Sequence, residues 1–269
     1  MNVFKTLKDF FCSGRNRQYP LDETIWVQTL KQSILLQSLT DEERQRLRTL
    51  TGRFLAHKSF TGVDGLEVTE AMKMLVAAQA CVLILELDFS YFNGWVEVVL
   101  YPAAFYVERD MQDEAGVVSR QTQLLSGEAW SRGQVILSWQ DVMHDTVRNH
   151  PGHQLVLHEF AHKLDARSGD TNGMPPLHRS MSRQQWADVL SHAYGRLLKR
   201  VEHHTHGYIN DYAATNPAEY FAVLTEYFFT APHILKKHCH HVYEQFELFY
   251  RQNTSTREAR LRHLYRSPT

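Results

Sequence analysis

Cysteine is scarce: Cys12, Cys81 and Cys239 are the only three in 269 residues. An odd and widely spaced set supplies no disulfide framework, which fits a reducing compartment. Neither sign of charge is in excess. The chain has 29 Lys and Arg against 30 Asp and Glu, a formal net charge of -1. Nucleic-acid binding draws on a basic surplus that neutralises phosphates, so direct nucleic-acid binding is not expected. Long apolar runs are missing too. A bilayer span needs about 18 or more consecutive apolar residues. The nearest run, Met74 to Leu87, contains Gln79 and Glu86 and reads as a buried helix. The N-terminal stretch Met1 to Arg17 mixes Phe4, Leu7, Phe10 and Phe11 with Lys5, Lys8, Arg15 and Arg17. It has too short an apolar core for a signal peptide and no small-residue cleavage site. It reads as a loosely docked terminus rather than a membrane-surface segment. A soluble, cytoplasmic protein with no stable membrane insertion is expected. There is no internal repeat and no low-complexity tract.

What is present is apolar content for a real core, 43% of the chain, organised in three stretches. Leu21 to Leu36 has helical spacing. Thr40 with Glu43 forms a capping box that opens a second helix to about Lys58, and Thr69 caps a third running to about Glu86. Asn93 and Gly94 mark a turn. Beyond it the pattern becomes β-rich: Trp95 to Leu100, Phe105 to Val107, Val117 to Leu125 and Gln134 to Trp139 predict a small sheet of three or four strands. Helices then resume, at about Gly152 to Ala166, from Ser182 to near Val201, and from Asn216 to just before Pro232. Two shorter helices, about Tyr243 to Arg251 and Arg257 to Tyr265, finish the chain. Helices, a small sheet, then more helices is an α+β order.

The chemistry is concentrated in His158 and His162, with Glu159 between them. Residues four apart stack on one face of a helix, so both imidazoles can aim at one point. Glu159 lies beside them, where a general base would hold a water. The flanking residues Leu155, Val156, Leu157, Phe160, Ala161 and Leu164 are apolar, unlike those of a solvated surface helix. Buried polar groups must be satisfied by something, and a metal ion does so.

Two histidines leave a catalytic zinc one protein ligand short. The longer metzincin pattern would need Gly at 165 and His at 168, where this chain has Asp165 and Ser168. Asp165 is better placed to orient an imidazole or close the helix end than to ligate. Glu219 is the stronger candidate, but Asn216, Pro217 and Glu219 together also spell a helix N-cap, and on spacing alone cap and ligand are equally good readings. Glu226, seven residues later on the same face, is a further candidate ligand or orienting group. Two other histidine groups, His203/His204/His206 and His238/His240/His241 with Cys239, lack an adjacent general base and read as solvated helix ends.

The stretches HEFAHKLD at His158–Asp165 and DYAATNPAEYFAVLTEYFF at Asp211–Phe229 resemble the Mlc titration factor A family of bacterial zinc peptidases. VVLYPAAF at Val98–Phe105 and LSGEAW at Leu125–Trp130 look like the same family, and the resemblance runs from about Thr40 to Gln252. The two C-terminal blocks are also similar to the catalytic core of anthrax lethal factor, a gluzincin. The resemblance implies a zincin-like fold and one Zn2+ per chain held by His158, His162 and Glu219. It implies Glu159 as general base, Tyr212 as a transition-state donor, and a peptide substrate with aminopeptidase-type cleavage. It also implies the Mlc repressor of glucose-uptake genes as a partner. A sequestering protein with secondary peptidase activity is the alternative. Some family members carry a metal-approaching His where this chain has Ser119, which implies a plain three-ligand site here. The strand Val117 to Leu125 could add to a substrate backbone. Residues 1–20 are poorly matched. Residues 21–269 read as one metallopeptidase domain: helical over 21–90, a small sheet over 95–139 and a catalytic helical part over 150–269.

Overall fold

Local capping sets the first helices. The computed structural model describes residues 17–103, 105–112, 118–125, 127–129, 133–148 and 150–266, with the backbone alone over 105–129 and 264–266. The reading of Met1 to Arg17 therefore falls almost wholly outside the described residues. The pattern over Leu21 to Leu36 folds as two pieces, α1 (Glu23–Gln32) and α2 (Ile34–Gln37), because Ser33 between them is extended. In α3 (Asp41–His57) the Thr40 hydroxyl accepts from the Glu43 amide at 3.2 Å. The Glu43 carboxylate accepts from the Thr40 amide at 2.8 Å. Two of the helix's four orphan donors are thus satisfied.

Helix α4 (Glu70–Leu83) is buried at every position from Met74 to Leu83. Its one polar side chain there, Gln79, donates to Thr146 Oγ1 at 2.9 Å and Ser33 Oγ at 3.4 Å. The Gln79 amide nitrogen is thus paired within the core, while its Oε1 is buried with no hydrogen-bond partner. Helix α4 also makes the crossover between two parallel strands, β1 (Ser59–Gly62) and β2 (Glu97–Tyr101). Parallel neighbours need such a long connection.

The hairpin β3 (Phe105–Gln112) and β4 (Val118–Leu125) pairs antiparallel as its own two-stranded sheet. The main sheet has four strands in the order β1, β2, β6 (Val135–Ser138), β5 (Gly127–Ala129). The first three run parallel, and β5 closes the edge antiparallel to β6. The α+β order is therefore observed, but the expected single sheet of three or four strands is not: six strands form two sheets among the described residues, and β1 and β5 fall outside the predicted strands. Strand β1 comes from the stretch that reads as helical, and its alternation is too weakly apolar to announce it.

The Ser138 hydroxyl ends β6 and caps α5 (Trp139–Val147), accepting from the Asp141 amide at 3.3 Å. The remaining helices are α6 (Leu155–Asp165), α7 (Arg183–Glu202), α8 (Pro217–Thr230), α9 (Pro232–His238), α10 (His240–Tyr250) and α11 (Thr254–Arg266). Helix α6 is the hub. It packs on α4, α8, β5 and β6, and each residue from Val156 to Asp165 is buried. Phe160 inserts from α6 into an aromatic group with Phe54, Phe92 and Trp95, at centroid distances of 5.7, 5.4 and 5.4 Å. No helix among the described residues is long and apolar enough to cross a membrane.

Candidate metal centre

The start of α6 is fixed by three acceptors from elsewhere in the chain. The Leu155 amide donates to Asp145 Oδ2 at 2.9 Å, the Gln154 amide to Glu226 Oε2 at 2.5 Å, and the Gly152 amide to Thr230 Oγ1 at 2.9 Å. Gly152 has φ 71°, and a Cβ there would lie 2.2 Å from the Tyr227 ring. Only glycine lets α6 begin this close to α8. The two helices that carry the candidate ligands are therefore joined at one end before any ligand is counted.

His158 and His162 face α8 from successive turns of α6. His158 Nε2 lies 2.9 Å and His162 Nε2 3.4 Å from Glu219 Oε2, and the two nitrogens are 3.2 Å apart. Tetrahedral zinc ligands at about 2.0–2.1 Å stand roughly 3.3–3.4 Å from each other. The three donors fit that spacing. Among the described residues they form the one such trio of His, Cys, Asp or Glu. The structure also separates the two readings of Glu219. Asn216 Oδ1 caps α8 by accepting from the Glu219 amide at 2.9 Å, while the Glu219 carboxylate turns to the imidazoles. Backbone and side chain of one residue serve different purposes.

Glu226 is not in the trio. Its Oε1 accepts from His158 Nδ1 at 2.8 Å while its Oε2 holds the Gln154 amide. A proton fixed on Nδ1 leaves the Nε2 lone pair for a metal. Asp165 also stays out. It is fully buried, and its Oδ2 accepts from the Gly173 amide at 2.7 Å, tying the loop after α6 back to the helix end. Burial raises its carboxyl to about 6, against the pull of that amide and of His162.

Electrostatics follow from five acidic and basic groups, His158, His162, Glu159, Glu219 and Glu226, sharing a largely buried site. Burial would raise the Glu219 carboxyl, but hydrogen bonds from His158 and His162 outweigh it and hold the group well below the usual carboxylate range. Burial would lower the His158 imidazole, yet Glu226 and Glu219 hold it well above its ordinary value when no cation competes. Glu159 is 3% exposed, and burial, reinforced by Glu219 and Glu226, pushes its carboxyl up to about 8. Its Oε2 is buried and has no hydrogen-bond partner. A buried carboxyl oxygen with no protein partner, set beside this trio, is one that an incoming group can still engage.

Tyr212 sits on a short 3-10 turn, Asp211–Ala214. Its ring centroid is 6.1 Å from that of His158. Burial, then Glu219 and Glu159, raise its hydroxyl above the ordinary phenol value. It is brought to the trio by that turn rather than by the sequence neighbours of α6. The other histidine groups do not converge. His203, His204 and His206 are exposed, and His240 and His241 pair with Glu244 at 3.2 and 3.1 Å. The side chain of Ser119 lies outside the described residues.

The structure brings His158, His162 and Glu219 together and sets Tyr212, named only by the family resemblance, beside them. Sequence reasoning misses Asp145 and Gln154 as supports of α6, and Gly173 as the partner of Asp165. None of these carries a motif, and only the i to i+7 spacing of Glu219 and Glu226 hints at the support from α8.

Comparison with known proteins adds an independent line. A family model described as glucose-regulated metallo-peptidase M90 matches residues 11–251. The chain is similar to Mlc titration factor A of Salmonella agona, at 34% identity over 90% of this chain and 89% of the relative. It is similar to Mlc titration factor A of Yersinia pestis at 38% identity over 83% of each. An uncharacterized Synechocystis protein is 35% identical over 79% of this chain and 78% of its own length.

Proposed function

The chain belongs to the glucose-regulated M90 metallopeptidase family, and from that premise we propose that it is a zinc-dependent peptidase whose ion is held by His158, His162 and Glu219. The observation that carries this reading is the meeting of three donors at tetrahedral spacing beside a buried, unpartnered Glu159 oxygen. Zn2+, when bound, supplies Lewis acidity that acidifies water and polarises a carbonyl.

Everything else is the work of this chain's residues. Glu159 takes the proton from the attacking water and later hands it to the leaving amine. Tyr212 donates to the oxygen on which negative charge develops, and a donor of that kind typically contributes about 10²–10³ in rate. Glu226 keeps His158 in the ligating tautomer. An extended peptide would pair with a strand edge. The antiparallel strand β5 closes the main sheet and packs against α6, while β4 belongs to the separate hairpin.

The test is Glu159→Gln. Zinc content should stay at one per chain and peptidase activity should vanish, while normal turnover removes Glu159 from the base role. Glu219→Ala should lose the bound zinc, and unchanged zinc stoichiometry returns Glu219 to a purely capping role. The family resemblance favours cleavage at a free N-terminus. A peptide and its N-acetylated form, cut side by side, decide between aminopeptidase and endopeptidase action.

A second reading draws on the relatives' name. If this chain also binds the Mlc repressor, capture of Mlc by the Glu159→Gln protein should match capture by the wild type. Binding that survives loss of catalysis supports a sequestering role in which cleavage is secondary.

A further inference from the structure

Tyr212 poses a mechanical problem. Its residue is 51% exposed, so packing alone does not hold the ring. Yet a transition-state donor must stand within a fraction of an ångström of its target. The backbone that carries it is held from α7. Arg200, in the last turn of α7, sends one nitrogen, Nη2, to two acceptors: the Ile209 carbonyl at 2.8 Å and Asp211 Oδ1 at 2.7 Å. Asp211 directly precedes Tyr212, and Ile209 lies three residues before it. The guanidinium lies flat against Gly207, where an added Cβ would fall 1.5 Å from Arg200 Nη1. The segment 207–211 is thus folded around the Arg200 head group. Smaller contacts finish the turn: Asn210 Oδ1 accepts from the Tyr212 amide at 2.9 Å, and the Tyr194 hydroxyl donates to the Ala214 carbonyl at 3.0 Å.

We propose that Arg200 is a positioning residue for the peptidase reaction, acting through the turn that aims Tyr212 and making no contact with the metal or its ligands. This rests on the peptidase reading above. Both acceptors bond one planar head group, so they hold the direction of the chain into Tyr212 as well as its distance. Lysine, a single flexible point charge, keeps the charge and loses that direction.

The experiment is a double-mutant cycle on the zinc-loaded full chain, using a fluorogenic peptide amide that the wild type turns over. Arg200→Met should keep one zinc per chain and lower kcat about tenfold, with KM within about twofold. In a Tyr212→Phe background the same substitution should cost less than about twofold, because the residue it serves is gone. Arg200→Lys should fall between wild type and Arg200→Met. Losses that multiply across the two sites, or an Arg200→Met enzyme of full activity beside an impaired Tyr212→Phe, overturn the inference. Normal turnover in Tyr212→Phe alone overturns it as well, and that single variant shows the fault to lie with the role of Tyr212. Should Arg200→Met fail to fold, Asp211→Asn enters the same cycle. Its side chain is 68% exposed and supplies the charged half of the clamp.

Discussion

Replacing Glu226 by glutamine sets two hydrogen-bond donors against one acceptor. In the protein, one carboxylate oxygen takes the His158 Nδ1 proton at 2.8 Å and the other takes the Gln154 amide at 2.5 Å. A glutamine side chain has one oxygen and one NH2 group. If its oxygen keeps the Gln154 amide, the NH2 faces Nδ1, and the imidazole must move its proton to Nε2, the atom that ligates. If its oxygen keeps Nδ1, two N–H groups confront each other at the start of α6. Neither orientation satisfies both. The first costs metal affinity, by about 10- to 100-fold for loss of an orienting partner, or roughly 1.4–2.7 kcal/mol. The second leaves a buried donor unpaired, at about 1–3 kcal/mol of stability. Zinc titration against a competing chelator reads the first, and urea unfolding of the zinc-stripped protein reads the second. One of the two should move. An unchanged zinc Kd together with an unchanged unfolding midpoint would refute the role given to Glu226.

Other outcomes follow from the same contacts. Zinc loading at pH 7 should release at least one proton, because Glu226 and Glu219 keep His158 protonated well above its ordinary range until the metal displaces that proton. Calorimetric titration in buffers of different ionisation enthalpy checks it, and zero release contradicts it. Gly152→Ala should lower stability by about 2–4 kcal/mol by urea unfolding, since φ 71° is strained for alanine and the new Cβ meets the Tyr227 ring. Phe160→Ala should cost about 3–5 kcal/mol by the same assay, and a loss under 1 kcal/mol would remove the aromatic group of Phe54, Phe92 and Trp95 from the core that seats α6. Lys58 is 8% exposed, and burial, then the charges of Lys163 and Arg167, lower its amine to about 7. The unfolded chain then binds more protons than the folded one above that value, so this residue's contribution makes stability rise with pH from about 7 to 8.5. The slope of unfolding free energy in the wild type minus that in Lys58→Met should be positive, and a zero or negative difference sinks the assignment.

What could be read in advance was local. The reciprocal cap of Thr40 and Glu43, the cap at Thr69, and the stacking of His158 on His162 each depend on residues within one helical turn, and the geometry matches the spacing. Glu219 marks the boundary of that reach. Asn216 and Pro217 make it look like a cap, and its backbone amide is indeed bonded to the cap. Only the approach of α6 shows where the carboxylate goes. Strand β1 was hidden because its stability comes from the backbone ladder to β2, across α4, rather than from its own half-exposed side chains. Helix α5 is amphipathic but only nine residues long and follows β6 directly at Ser138, and α9 is shorter still, so neither stretch separates itself from its neighbours. The Arg200 clamp was equally hidden, since nothing in a single arginine near the end of a helix announces a partner nine residues later in a loop.

Helix α6 is buried at every position from Val156 to Asp165, and the most exposed of these residues, His158 and His162, reach only 9%. An element buried this deeply cannot loosen by itself, because any partial opening would expose the centre of the molecule. Its backbone amides should therefore exchange hydrogen no faster than the entire chain comes apart. The alignment of His158 with His162 is then as durable as the fold. Heat or denaturant should abolish that alignment and the native state in a single event, not in two.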